Sequence, residues 1–98
     1  MGVHEFIIAS GIFNLKKTIS NEDWTRYIVE TLCALNDKST LGFAFNILTK
    51  YSDADKMRED LYYADPCYFF DLCKTQFSRK VALIHDYEEY DFTIVVRK

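Results

Sequence analysis

The sequence predicts one small α+β domain, residues 1–98, with a mixed or antiparallel sheet of four to five strands and about three helices. The chain has 98 residues, the length of a single domain, and 49% of them are hydrophobic, so a core can form without cross-links. Segments with period-two and with helical hydrophobic spacing follow one another in the order β(β)αβααββ. Because helices separate the strands in sequence, we expect them to pack on one face of the sheet.

The N-terminal segment is rich in residues that favour strands. Val3–Ser10 predicts the first strand, and Gly11 allows the chain to turn after it. Ile12–Lys17 then fits either a second strand or an extended lead-in to the first helix. This second strand is therefore optional in the predicted order β(β)αβααββ.

The first helix has the clearest pattern in the chain. Ser20 can cap its N-terminus, and Asp23 follows three residues later in a capping-box arrangement. The side chains that then recur on one helical face are Trp24, Tyr27, Ile28, Thr31, Leu32 and Leu35. Asn36-Asp37 predicts the end of the helix. We interpret this helix as scaffold and not as part of a functional site.

Residues 41–51 alternate with a period of two, and Phe43 and Phe45 lie on the same side of the alternation. This pattern predicts a half-buried strand. A helix is the alternative interpretation of the same stretch, with its apolar face formed by Leu41, Ala44, Phe45 and Leu48.

Two further helices are predicted in the middle of the chain. Ser52 and Asp55 repeat the capping pattern ahead of a second helix that ends near Ala64. Asp65-Pro66 then starts a third helix, with Asp as the N-cap and Pro at the first helical position, and this helix continues to Phe77.

The C-terminal residues predict a hairpin. Residues 81–87 and 90–96 alternate with a period of two on either side of Glu88-Glu89. Antiparallel pairing around that turn places Arg79-Lys80 opposite Arg97-Lys98, so four positive charges can gather at one end of the hairpin.

Composition and spacing argue against several classes of function. Twelve Lys and Arg residues against fifteen Asp and Glu residues give a net charge of −3, and residues 52–77 carry most of the excess. The three glycines form no phosphate-binding motif. The three cysteines and two histidines do not have the spacing of metal ligands, and no catalytic motif surrounds a serine or a cysteine. The sequence therefore predicts no catalytic residue, no cofactor and no metal.

The cysteine count also bears on the cellular compartment. An odd number of cysteines without a signal peptide predicts a soluble protein with free thiols in the cytoplasm, or in the host cytoplasm if a virus encodes it. No apolar run is long enough to cross a bilayer, so we expect no membrane partner.

Acidic and aromatic side chains are concentrated in residues 52–77 and around residues 86–91, a composition typical of a protein-binding surface. The leading hypothesis is a non-enzymatic module that occupies a site on a larger protein, such as a nucleic-acid-binding enzyme or complex. Phages and mobile elements commonly encode small inhibitors of host defence enzymes with this size and composition. The expected partner-binding residues are Asp60, Tyr62, Tyr63, Asp65, Tyr68, Glu88 and Glu89.

Two alternatives use other features of the chain. The first is a small nucleic-acid-binding protein that contacts phosphates through Arg79-Lys80 and Arg97-Lys98. The second is a structural protein whose surplus aromatic rings close a homodimer.

Overall fold

Four strands and two α-helices make up the regular structure of the residues that the computed structural model describes, which are 4–52, 55, 57–85 and 91–98. The elements in chain order are β1 (His4–Ala9), α1 (Asn21–Lys38), β2 (Ser39–Leu48), α2 (Pro66–Gln76), β3 (Lys80–Ile84) and β4 (Asp91–Arg97). The predicted α+β class is confirmed, whereas the prediction of about three helices is wrong for the described residues.

The strands form one mixed sheet in the order β1-β2-β4-β3. β1 pairs with β2 in parallel, and α1 supplies the crossover that a parallel pair requires. β4 pairs antiparallel with both β2 and β3, with Lys80 opposite Arg97 and Val81 opposite Val96. The antiparallel pairing predicted for the terminal hairpin is confirmed, and its turn, residues 86–90, lies outside the described residues.

The core lies between the sheet and the two helices. Phe43, Phe45 and Ile47 alternate along β2, and their β4 neighbours are also fully buried: Phe92, Ile94 and Val96. Helix α1 covers them with Ile28 and Leu32, and α2 with Phe69 and Cys73. The strand predicted for residues 41–51 is confirmed, with observed bounds at Ser39 and Leu48. The helical alternative is wrong because the segment pairs with β1 and β4, and Leu41 of its supposed apolar face is 58% exposed.

The helix predicted between Ser52 and Ala64 is wrong where the structure describes it, over residues 57–64. Burial in this segment alternates with a period of two, since Tyr62 and Ala64 are buried while Leu61 and Tyr63 are partly exposed. The backbone groups bond to distant segments instead of to each other: the Tyr62 N–H donates to the Asn14 carbonyl at 2.8 Å, and the Ala64 N–H to the Leu48 carbonyl at 2.8 Å. Residues 53, 54 and 56 of the predicted helix lie outside the described residues.

Residues 12–17 do not form the second strand that was the first of two predictions for them. They form turns with one isolated bridge, between Leu15 and Leu61, and Phe13 is fully buried. The predicted cap of α1 is confirmed, because the Ser20 hydroxyl accepts a hydrogen bond from the Asp23 N–H at 3.2 Å. The helix extends beyond Asn36-Asp37, the predicted end, to Lys38.

The second face of the sheet carries no helix among the described elements. Phe6 and Ile8 of β1 point to this face, beside Ala44 of β2, and Ile8 is 75% exposed. Neither α1 nor α2 has the combination of length and hydrophobicity that crossing a bilayer requires.

Candidate functional site

A cleft of about 720 Å³ lies between the N-terminal half of α1 and residues 62–69, a volume in the usual range of ligand pockets, roughly 300–1,000 Å³. We call it the tyrosine cleft. One wall is formed by Asn21, Glu22, Thr25, Arg26 and Val29 of α1. The remaining lining side chains are Lys50, Tyr62, Tyr63, Asp65, Tyr68 and Phe69.

Backbone pairing at the end of β2 positions the second wall of the cleft. The Lys50 N–H donates to the Ala64 carbonyl at 2.9 Å, and Thr49 and Ala64 form an isolated parallel bridge. Residues 62–65 therefore run alongside the extension of β2 and lead directly into α2. Asp65, the predicted N-cap of α2, is confirmed in that role because its Oδ1 accepts from the Cys67 N–H at 3.0 Å.

Four of the seven sequence-predicted contact residues line this cleft: Tyr62, Tyr63, Asp65 and Tyr68. Asp60 lies outside it, where its carboxylate forms an ion pair with Arg58 at 2.7 Å. Glu88 and Glu89 belong to the segment that the structure does not describe. Tyr62 is only 6% exposed, so it is a buried wall residue and not a surface anchor.

The Tyr62 hydroxyl is part of a short hydrogen-bonded chain. Its oxygen lies 2.6 Å from Thr25 Oγ1, and the Thr25 hydroxyl donates to the Asn21 carbonyl at 2.7 Å. Burial raises the pKa of Tyr62, an effect that its hydrogen bond to Thr25 only partly offsets. The side chain is therefore a neutral phenol at physiological pH.

Asp65 and Lys50 form an ion pair at the edge of the cleft, with Lys50 Nζ 3.3 Å from Asp65 Oδ2. Desolvation acts to raise the pKa of Asp65, but hydrogen bonds from Lys50 and from the Cys67 N–H together lower it below the ordinary value. The hydrogen bond to Asp65 in turn raises the pKa of Lys50. Both side chains are charged at neutral pH and hold each other in place.

We expect the Asp65→Asn variant to lose part of the dependence of stability on acid pH. The folded pKa of Asp65 is lowered, so its carboxylate stabilises the fold above the unfolded pKa of about 3.9, and this contribution disappears as pH falls through the folded value. Asn preserves the cap but not the charge. Urea unfolding at pH 7, 5, 3 and 2 should show the native protein approaching the variant below pH 4.

Asp71→Asn, which removes an exposed carboxylate from the same helix, is the matched control for that series. The interpretation of Asp65 fails if the difference between native protein and Asp65→Asn is the same at pH 7 and pH 2.

The formal charges around the cleft cancel. Its lining contains two acids, Glu22 and Asp65, and two cations, Arg26 and Lys50. Arg26 lies 3.8 Å from the Asp23 carboxylate on the exposed side of α1. The cleft is thus an amphiphilic site with phenol groups and not the acidic face that the sequence led us to expect.

Among the described side chains, the three cysteines and His85 do not form an alternative site. Burial raises the pKa of the Cys73 thiol to about 12, so it is unreactive, whereas Cys33 and Cys67 are exposed. His85 Nε2 contacts Thr49 Oγ1 at 2.9 Å. The described residues contain no group of three or more His, Cys, Asp and Glu side chains placed to hold a metal ion.

At the basic end of the terminal hairpin, Lys98 stabilises the C-terminal end of α1. Lys80 and Arg97 are opposite one another, as the predicted register requires. Lys98, however, donates through Nζ to the Asn36 carbonyl and, at 2.6 Å, to the Ser39 carbonyl. Its charge therefore caps the C-terminal end of α1, where a cation is favourable.

The chain is similar to a Mycobacterium tuberculosis protein named "Putative methyltransferase", with 56% identity over 94 residues. The match covers 96% of this chain and 57% of that protein, so the chain spans a little over half of the relative's length. No family model matches the chain, and no solved structure does.

This likeness overturns the hypothesis of a non-enzymatic binding module, because the relative carries the name of an enzyme. The predictions of an inhibitor and of a phage or anti-defence protein are wrong with it. No observation tests the partner predictions, a larger protein or a second copy of the chain, and they remain predictions. In the structure, Asp60 is paired with Arg58, Asp65 is paired with Lys50, and Tyr62 is buried.

The wall of the cleft that α1 provides was not predicted from the sequence. Thr25 and Val29 are one helical turn apart, at i and i+4, immediately after Trp24 and Ile28 of the buried stripe. That position at the margin of the buried stripe is the signal that could have placed them at the edge of a groove.

Proposed function

We propose that this chain has the methyltransferase activity for which its relative is named and that the tyrosine cleft holds the small molecule that receives the methyl group. The observation that carries the proposal is a ligand-sized cleft in a chain that is 56% identical to a protein named as a methyltransferase. This chain matches only 57% of the relative's length. Activity and substrates are therefore part of the proposal and are not taken as established from the relative.

The lining of the cleft suits a molecule with a ring. Val29 supplies apolar surface, and the Tyr68 side chain, also part of the lining, is half exposed. The polar side chains of the lining include Tyr62 and Asp65. A site of this composition binds by ring packing and fixes orientation with a small number of hydrogen bonds.

A methyl donor of the S-adenosylmethionine class would supply the methyl group from a sulfonium centre. Glycines commonly let such a nucleoside approach the backbone closely, so the two described glycines test the fit. A side chain at Gly11 would meet nothing within 4 Å, and the space beside Gly42 is filled by the Val96 carbonyl. The described residues thus offer no glycine-lined cradle for the donor, and we assign none of them to it.

A reducing compartment, such as the cytoplasm, is part of the same proposal. Cys33, Cys67 and Cys73 are all free thiols, and two of them are exposed. Exposed thiols persist in reducing surroundings.

The proposal is tested by methyl transfer from S-adenosylmethionine with a tritiated methyl group to a panel of small phenols and aromatic amines, with the intact chain as catalyst. We expect label in at least one acceptor, and at least tenfold less with Val29→Phe, because the larger ring fills the cleft. Val95→Phe makes the same substitution on the helix-free face of the sheet and should leave transfer unchanged.

Absence of transfer to every acceptor in the panel would contradict the proposed activity. Transfer that survives Val29→Phe undiminished would place the acceptor elsewhere on the chain.

A further inference from the structure

The hydrogen-bonded pair of Tyr62 and Thr25 has a defined direction. A threonine hydroxyl has one proton, and the Thr25 proton points to the Asn21 carbonyl 2.7 Å away. In the 2.6 Å contact between the two hydroxyls, Thr25 therefore accepts and Tyr62 donates.

The opposite direction would leave a proton without a partner. If Thr25 donated to Tyr62, the phenol proton would need a second acceptor, and within the described residues the Tyr62 hydroxyl has no hydrogen-bond partner other than Thr25. Hydroxyl protons in partly buried sites are normally satisfied, so the arrangement in which both protons have acceptors is favoured.

The direction of this bond determines what the cleft offers to a ligand. The Tyr62 proton is committed to Thr25, so the phenol oxygen can only accept from a molecule in the cleft. The Asp65 carboxylate also only accepts, since it is ionised and already bound to Lys50 and the Cys67 N–H. Of the two cations of the lining, Lys50 is hydrogen-bonded to Asp65 at 3.3 Å, and Arg26 lies 3.8 Å from Asp23 Oδ1, beyond hydrogen-bond distance.

We propose that the tyrosine cleft selects ring-bearing molecules that present an O–H group to the Tyr62 oxygen, and rejects the same molecules once a methyl group has replaced that hydrogen. This proposal rests on the proposed function and names its substrate class as hydroxylated rings. A site built around a hydrogen bond discriminates strongly against an analogue that cannot make it, because the buried acceptor is left without a partner.

The preference has a direct use in methyl transfer. Transfer would form the bond between the acceptor oxygen and the methyl carbon as the methyl–sulfur bond of the donor breaks, and the hydroxyl proton would pass to water. The methyl ether that results can no longer donate to Tyr62. Product is then held more weakly than the next acceptor, so the same hydroxyl that selects the substrate also promotes product release.

The test compares the binding of phenol with that of its methyl ether, anisole. Each is titrated into the intact ¹⁵N-labelled chain, and the amide shifts are followed in ¹H–¹⁵N correlation spectra. The two probes share a ring and differ only in whether the oxygen carries a proton. We expect phenol to bind about tenfold more tightly than anisole, the size of effect that one hydrogen bond provides. The shifted amides should be those of the cleft, including Thr25, Val29 and Phe69.

Two variants separate the proposal from a merely structural role of the pair. Tyr62→Phe removes the acceptor and should bring the ratio of the two affinities close to one. Thr25→Ala frees the Tyr62 proton, which can then be donated to an ether oxygen, so anisole should gain affinity relative to phenol. Tyr27→Phe removes a phenol hydroxyl from α1 outside the cleft and should preserve the native ratio.

Equal affinity of the native protein for phenol and anisole would overturn this inference, as would a tenfold ratio that persists in both Tyr62→Phe and Thr25→Ala. If methyl transfer is observed but phenol and anisole bind equally, the inference is wrong and the proposed function stands. If phenol binds more tightly than anisole but no acceptor is methylated, the proposed function is wrong and the binding preference stands.

Discussion

Gly42→Ala is expected to lower the free energy of unfolding by more than about 3 kcal/mol. Gly42 lies in β2 with φ at 137°, a conformation that L side chains rarely adopt, and a Cβ atom there would lie 2.0 Å from the Val96 carbonyl oxygen. The oxygen belongs to the backbone of β4, so relieving the overlap requires the two central strands to separate. Guanidinium unfolding followed by circular dichroism measures the loss.

Gly11→Ala is the matched control for this substitution. Gly11 also has a positive φ, 73°, but nothing lies within 4 Å of the position of its Cβ. Only the backbone cost of the left-handed region remains, about 1–2 kcal/mol. Losses of equal size at the two glycines would show that the close approach of β2 and β4 does not matter.

Phe45→Ala is expected to cost about 3–5 kcal/mol, the usual range for removal of a buried aromatic ring. The Phe45 side chain is 1% exposed, its ring meets Phe13 edge-on with 6.1 Å between centroids, and Phe43 lies beside it at 6.2 Å. Truncation leaves a cavity bounded by both rings and removes the contact that holds the loop at Phe13 against the sheet. The measurement is again the guanidinium unfolding free energy.

Ile8→Ala tests whether burial, and not the strand itself, determines that cost. Ile8 is also in the sheet, but it is 75% exposed on the face without helices, so its truncation should change stability by about 0.5 kcal/mol or less. A comparable loss at Ile8 would mean that this face is covered in the folded protein.

Structural features that depend on residues close together in sequence could be predicted from the sequence. The hairpin register follows from alternation on both strands, and Lys80 is opposite Arg97 as that alternation requires. The N-caps at Ser20 and Asp65 depend on one side chain and the next two or three backbone N–H groups. Local chemistry determines such features, so local inspection finds them.

The segment before α2 could not be predicted in this way. Its apolar residues fit a helical stripe, but Leu61 bridges to Leu15 and the Tyr62 backbone bonds to Asn14, partners more than forty residues away. Tertiary contacts of this kind override local helix propensity, and the sequence of residues 52–64 alone does not predict them.

The candidate site was predicted in part, and for a different use. Tyr63, Asp65 and Tyr68 were expected on an outer surface for a protein partner, and the structure places them around a cleft with Thr25 and Val29. The composition of residues 52–77 indicated a cluster of aromatic and acidic side chains. It could not indicate that α1 faces them, because α1 is distant from these residues in sequence and adjacent to them only in the folded chain.

The order of the strands has a consequence for how this protein is made. β4, the last of the described strands to leave the ribosome, occupies an interior position between β2 and β3. During translation β1, α1 and β2 can associate early, but β2 then presents an unpaired edge until residues 91–97 emerge. We therefore expect the nascent chain to depend on chaperones during that interval, when the exposed edge is open to association with other chains.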